Sequence, residues 1–458
     1  MRISGTPRAK GGVVAVTFAL LSLLVLHFVL PLPNTIALRL LLIAVVLGFF
    51  GYRYYRYRPS LAHLEILRGA GALYAVLSLW IVLGAFVLSL DTARSFAEIN
   101  GQWLRPFLLF TIGAGAATLF GSTPHARRLL VTASLGALMI HVVYLDLAGL
   151  IAVAQTGAFP LRMPGLTNGP DKVSFMTNMV CAFLLADLYF VLNTRKPVFL
   201  RPLALFIGVG AACLLALYLE SMRNGIIAFV LSLLVAIAIY LKTGAIRFRV
   251  QHLAAVLAVF LITAGLIYAS AESDKRWAAL AETIPLALDT DTHKAWLDGR
   301  YPLPQLPHGE AVNDSNYLRV AWAKEGLQIL KEHPLGVGYD RNAFGHALQA
   351  KYGASGGGSS HSGLLDMFIA TGVPGGLLWL ALLFAVLKLS LNAFRRTHSF
   401  YALALFFVVL DFSLRMTIDG IVRDHVFQQF MLVVGLLAGI TGLENHELAA
   451  RRGLSRVR

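Results

Sequence analysis

Of the 458 residues, 57% are hydrophobic and only 14% charged, with a mean hydropathy of +0.69, whereas a soluble globular chain is about a quarter charged. This excludes an ordinary soluble fold. The formal charge of +15 comes from Lys and Arg in short clusters between apolar runs, which reads as topology signal and lipid-facing charge and argues against a nucleic-acid partner. Cys181 and Cys213 both lie inside apolar runs, which argues against a disulfide framework or a structural zinc site.

Taken in order, apolar segments fall near 11–30, 35–52, 69–90, 103–121, 127–153, 173–193, 200–219, 224–241, 252–270, 364–387, 399–414 and 425–443. They predict an all-α polytopic membrane protein of about twelve spans. The first run follows Arg2, Arg8 and Lys10 as in a signal peptide, but it is long and has no clear small-residue cleavage site, so it reads as a retained helix. Alternate loops collect basic residues: Arg53, Arg56, Arg58 and Arg68, then Arg127 and Arg128, then Arg195, Lys196 and Arg201. The series continues through Lys242, Arg247 and Arg249 to Lys388, Arg395 and Arg396, and ends at Arg451, Arg452, Arg456 and Arg458. The positive-inside rule then places both termini in the cytoplasm.

The expected organisation is helices one to nine over 1–270, a periplasmic loop with amphipathic helices over 271–363, helices ten to twelve over 364–445, and a basic cytoplasmic tail over 446–458. A soluble insert of that size usually carries function. Within it, Ser315 to Glu332 predicts a weakly amphipathic helix with Leu318, Trp322 and Ile329 on its apolar side, interrupted by Glu325 and stopped at His333-Pro334. Pro302, Pro304 and Pro307 predict irregular structure before it, and Gly353 to Ser360 predicts a flexible hinge after it.

Four polar features stand at the outer ends of helices, where a charge is costly unless it meets water, a partner or a substrate. Arg162-Met-Pro-Gly-Leu-Thr-Asn-Gly-Pro170 is a loop with one arginine, which could simply snorkel. Glu220-Ser-Met-Arg-Asn-Gly225 is a short hairpin in which Arg223 could pair with Glu220. His333-Pro-Leu-Gly-Val-Gly338 is a helix stop followed by glycines. His361 opens a helix after the hinge; the helix N-terminus would favour its neutral, proton-accepting form, although a structural cap is the simpler role. Arg415, Asp419, Arg423, Asp424 and His425 crowd another outer turn, where mutual ion pairing is expected. Asp289-Thr-Asp291 has the form of a metal-binding acidic pair, but so short a pattern arises readily by chance, and no metal is assigned.

In this order and spacing, Arg162-Met-Pro-Gly165, Ser221-Met-Arg-Asn-Gly225, His333-Pro-Leu-Gly-Val-Gly338, His361-Ser-Gly-Leu-Leu365 and Ala370-Thr-Gly-Val-Pro-Gly-Gly376 resemble the O-antigen ligase and polymerase superfamily over about residues 160–380. Met222 and Ser362 depart from the family pattern, which often has Ser and Asn at those places, and Ala370 stands where the family has an acid. The resemblance implies a GT-C-like glycosyltransferase of the Gram-negative inner membrane, working on the periplasmic face. It implies an undecaprenyl-pyrophosphate-linked glycan donor, a lipid A-core acceptor, membrane lipids around the site, and no cofactor or metal. Arg162, Arg223 and Arg319 would hold the pyrophosphate, since guanidinium forks suit concentrated anions. His361 would be the general base of an inverting transfer, with Ser221, His333, Gly336 and Gly338 in support.

The same residues would serve an O-antigen polymerase or a protein O-oligosaccharyltransferase; length and the compact outer loop favour the ligase. A lipid-linked glycan transporter is a different class, against which the charges gather at one face and not at mid-membrane. The topology is testable at Ser355: a cysteine placed there should react with an impermeant reagent in intact cells, and labelling only after lysis would overturn the outward site.

Overall fold

The computed structural model describes residues 12–245 and 280–453, together with residues 261, 265 and 268. Among the described residues the chain is helical, with one isolated bridge between Gln305 and Ala311 and no strand. The spanning elements are α1 (Val13–Val29), α2 (Ile36–Tyr57), α3 (Arg68–Val87), α4 (Thr92–Glu98), α5 (Arg105–Phe120), α6 (Pro124–Thr156), α7 (Pro170–Thr194), α8 (Leu203–Glu220) and α9 (Arg223–Lys242). After the loop helices α10 (Leu280–Leu288), α11 (Asp314–Glu332) and α12 (Ala343–Tyr352) come α13 (Gly363–Thr397), α14 (Phe400–Arg415) and α15 (Asp424–Arg451).

Among the described residues nine helical segments are long and apolar enough to cross a membrane, with α4 and α5 forming one of them through a π-helical turn. The molecule is an all-α polytopic membrane protein. The shorter α1 and α14, of 17 and 16 residues, occupy two further expected spans. The span expected at 252–270 lies almost wholly outside the described residues. The helix expected from Ser315 is α11, capped by the Asn313 side chain, which accepts from the Asn316 N–H. Its interrupting Glu325 is buried, accepting from Thr290 at 2.7 Å and Tyr352 at 2.9 Å, so the polar residue on the apolar face has its partners.

Small residues set how closely the bundle packs. A Cβ on Gly113 would stand 2.6 Å from the Leu436 nitrogen, one on Gly439 would stand 2.7 Å from Ala117, and one on Gly435 would collide with the Phe110 carbonyl. Close backbone approach of this kind is how spanning helices associate where lipid gives no hydrophobic drive.

The break in α13 is the second organising feature. Pro374 has no N–H to give the Ala370 carbonyl, and Gly372 sits at φ 69°, so the helix opens there. The freed groups are taken up by the chain after α11. Val337 donates to the Ile369 carbonyl and Gly338 to the Ala370 carbonyl, both at 3.1 Å, while Val373 donates to the Pro334 carbonyl at 2.8 Å. The Trp80 indole caps the Thr371 carbonyl at 2.7 Å. Gly336, at φ 92°, has no room for a Cβ, which would stand 2.5 Å from the Gly372 nitrogen. The two glycine motifs of the sequence are thus one structural joint.

Gly435→Ala should lower the thermal midpoint of the detergent-solubilised protein, at a cost of about 1–3 kcal/mol for forcing the helices apart. Gly48→Ala, where a Cβ meets nothing within 4 Å, is the control and should be near neutral. Equal melting of the two variants would contradict the packing account.

Candidate active site

The short α8–α9 connection forces Ser221 into a left-handed conformation at φ 47°, and its N–H caps Tyr218. The hairpin sends its two charged residues in different directions. Glu220 is buried and accepts from Thr177 of α7, whereas Arg223 starts α9 and donates Nη2 to Asn316 Oδ1 of α11 at 2.8 Å. A guanidinium from the membrane bundle is therefore joined to the first turn of the loop helix.

Between them opens a pocket of about 630 Å³. Arg223, Arg319, Lys324 and Lys331 give it four cations, and Asn316, Gln328, Ser360, His361 and Ser362 add polar walls. Ile227, Leu280, Leu288, Val320 and Leu327 add apolar lining. Among the described residues no carboxylate lines it. Such a pocket suits a compact polyanion attached to an apolar chain.

Beneath the pocket a polar layer fixes the helix ends. Arg415 is fully buried, paired with Asp419 at 3.2 Å and donating to Ser174 at 3.2 Å and to the Asp171 carbonyl at 2.9 Å. Asn178 donates to the Gly225 carbonyl at 2.9 Å and to Asp411 at 3.0 Å. Of the mutual ion pairing expected at the outer turn, Arg415–Asp419 is present, whereas Asp424 pairs outside the turn, with Arg341 at 2.9 Å. Ser174, Thr177, Asn178, Lys324 and Lys331 were not foreseen. Polar side chains inside the apolar run 173–193, and basic residues on the solvent side of the loop helix, were the signals that could have found them.

His361 is exposed at the rim, two residues before the helix, at φ 59°. Ser362, not His361, caps α13, accepting from the Leu365 N–H at 3.2 Å. The His361 ring stacks on Trp322, with centroids 5.3 Å apart and planes 11° apart. The preceding glycines form a close-packed strap and not the open linker their composition predicts. A Cβ on Gly357 would stand 2.8 Å from that same Trp322 ring, and Gly356 sits directly against the Trp296 carbonyl. Asp366 fastens the strap, accepting from the Ser360 N–H at 2.8 Å and its hydroxyl at 2.7 Å.

The imidazole's pKa lies below its ordinary 6.5, first through loss of solvation, then through the Arg319 and Arg423 charges, with Asp419 and Asp171 opposing. Its neutral form is therefore favoured by partial loss of solvation at the rim and by neighbouring arginines, where the sequence pointed to the helix terminus.

The remaining expected residues lie elsewhere. Arg162 is exposed on a loop held by the Met163 N–H to the Leu219 carbonyl at 3.1 Å, and it is not among the pocket-lining side chains. His333 is exposed at the end of α11, and Gly336 and Gly338 serve the backbone joint at the α13 break. Asp289 and Asp291 are exposed, Asp289 accepting from the Thr292 N–H at 3.2 Å. Among the described residues no group of three or more His, Cys, Asp or Glu is placed to hold a metal ion.

Residues 208–380 match the family model described as O-antigen ligase. No curated protein matches the chain. The matched stretch runs from α8 into α13; it includes Arg223, Arg319 and His361 and leaves out Arg162. It supports a function of the O-antigen ligase and polymerase kind, on lipid-linked glycans at a membrane.

Acylation of His361 by diethyl pyrocarbonate, followed against pH by peptide mass spectrometry, should have its midpoint below 6.5, because only the neutral ring reacts. Arg423→Gln removes a charge that opposes protonation, so the midpoint should move upward. A wild-type midpoint at or above 6.5, or no movement in the variant, would contradict this electrostatic picture.

Proposed function

We propose that the chain is an O-antigen ligase that transfers a glycan from undecaprenyl pyrophosphate to lipid A-core on the periplasmic face, without a metal and with inversion at the anomeric carbon. The supporting observation is a four-cation pocket, free of carboxylates among its described lining residues, with added apolar lining and His361 at its rim.

In this reading the prenyl pyrophosphate enters along Ile227, Val320 and Leu327, and Arg223 and Arg319 hold its phosphates. The acceptor hydroxyl attacks the anomeric carbon from the face opposite the pyrophosphate. A carbon–oxygen bond forms to the acceptor as the bond to the pyrophosphate oxygen breaks. The hydroxyl proton passes to His361, and the pyrophosphate leaves with the electron pair, its charge stabilised by the arginines. Trp322 and the glycine strap hold the imidazole where it can receive that proton. Arg162, on the neighbouring loop, is assigned an outer and weaker contact with the donor. Ser221 supports Arg223 by capping the hairpin, and His333, Gly336 and Gly338 support the pocket through the joint beneath α11.

In membranes with matched protein levels, His361→Ala should lower transfer by roughly two to four orders of magnitude while donor binding persists. His361→Gln should not rescue, because an amide accepts a hydrogen bond but not the proton. Arg223→Lys should be damaging despite its charge, since the fork that reaches both Asn316 and a phosphate is lost. A deletion strain should show bare lipopolysaccharide core. Core bearing a single repeat unit would assign a polymerase instead, and wild-type transfer by His361→Gln would remove the histidine from catalysis.

A further inference from the structure

A second polar cavity, of about 240 Å³, opens at the same end of the bundle between the start of α2, the π-turn before α5 and the start of α15. Its charges do not cancel. Arg341 takes both neighbouring carboxylates, Glu98 at 3.4 Å and Asp424 at 2.9 Å. Two further arginines line the cavity. Arg39 donates to Thr35 Oγ1 at 2.9 Å and to the Leu32 carbonyl and feels the Asp424 charge without an ion pair to it, and Arg105 has no carboxylate in ion-pair range among the described residues.

Two lining atoms are buried with no partner among the described residues: the Nε2 of His425, a side chain 9% exposed, and the Glu98 Oε2. Buried polar atoms without partners are costly, and they mark places where a ligand supplies the missing bonds. Ile36 and Leu40, both exposed, form an apolar lip on the outer surface of α2.

We propose that this cavity binds the phosphate-bearing, hydroxylated headgroup of a membrane amphiphile. Arg39 and Arg105 take the phosphate, His425 Nε2 and Glu98 Oε2 meet hydroxyls, and the chains lie along Ile36 and Leu40. Two arginines with no carboxylate in ion-pair contact call for an anion. The free carboxylate oxygen calls for a donor beside that anion, which a bare phosphate ion lacks. The lip places the ligand's tail in the bilayer.

A narrow cleft continues from the cavity toward the His361 strap. Gln102 and Arg341 line both, and Gly363, Asp366 and Arg423 line the far end of the cleft. The cavity thus lies across the strap from the cationic pocket, where a second substrate would have to approach. That identification of the occupant rests on the transferase reading; the binding itself does not.

The test is native mass spectrometry of the full chain in detergent with two probes, phosphatidylglycerol and monophosphoryl lipid A. The double variant Arg39→Gln/Arg105→Gln should bind at least one of them roughly tenfold or more weakly, as loss of charge-assisted bonds implies. Arg300→Gln, an exposed arginine that pairs with Asp298 and lines neither pocket, should bind as wild type. Gln428→Glu keeps both arginines and adds a negative charge to the cavity wall, and should weaken the same probe, which guards against a folding defect in the double variant. Weakening confined to lipid A supports a second-substrate site, and weakening of phosphatidylglycerol supports a resident-lipid site. Unchanged binding of both probes in the double variant and in Gln428→Glu, or an equal loss in Arg300→Gln, overturns the proposal. Loss of transfer by His361 variants leaves these readings unaffected, so the two accounts fail separately.

Discussion

The pocket depends on how the backbone is satisfied where α13 breaks. A carbonyl left without a donor in a membrane protein costs several kcal/mol. Pro374 and Gly372 expose such carbonyls at Ile369, Ala370 and Thr371, and each is met from elsewhere: two by the chain at Val337 and Gly338, one by Trp80. The segment that answers this demand directly follows α11, so the break also fixes the far end of the helix that carries Arg319, Lys324 and Lys331. The near end is fixed by Asn316 on Arg223. A helix outside the bundle is thereby tied at both ends to helices within it.

Electrostatics then follows from where acids are absent. Carboxylates near this end are occupied: Asp419 by Arg415, Glu325 by Thr290 and Tyr352, Asp366 by the strap, and Glu220 by Thr177. None of these is among the described residues that line the large pocket, whose charged lining residues are all cations. After loss of solvation, Arg319 of this pocket and Arg423 outside it disfavour a charged His361. Arg319 thus serves both anion binding and a neutral imidazole.

Much of this was legible in the sequence. Apolar runs located helices at each expected place within the described residues, nine of them long and apolar enough to cross a membrane, because length and hydropathy are carried by the sequence itself. Arg223 and His361 stood out because a charge or an imidazole at a helix end has a cost that demands an explanation. The glycine-rich stretch 353–360 misled, since composition cannot distinguish a glycine kept for freedom from one kept for space; Gly356 and Gly357 are there because Trp296 and Trp322 pass so close. The link between His333-Pro-Leu-Gly-Val-Gly338 and the break at Gly372 was equally hidden. It joins residues more than thirty apart in the chain through backbone bonds that no residue pattern advertises. Arg162 was chosen by motif order, and motif order says nothing about which side chains share a pocket.

The central claim, that the pocket of Arg223, Arg319 and His361 receives the lipid pyrophosphate, is tested most directly by position. A prenyl pyrophosphate carrying a photoreactive group beside the first isoprene unit should crosslink to Ile227, Val320 or Leu327, and the crosslink should be lost on competition with unlabelled prenyl pyrophosphate. Specific crosslinking to Ile36, Leu40 or Ile43 instead, with none in α9 or α11, would place the donor in the other cavity and contradict the account.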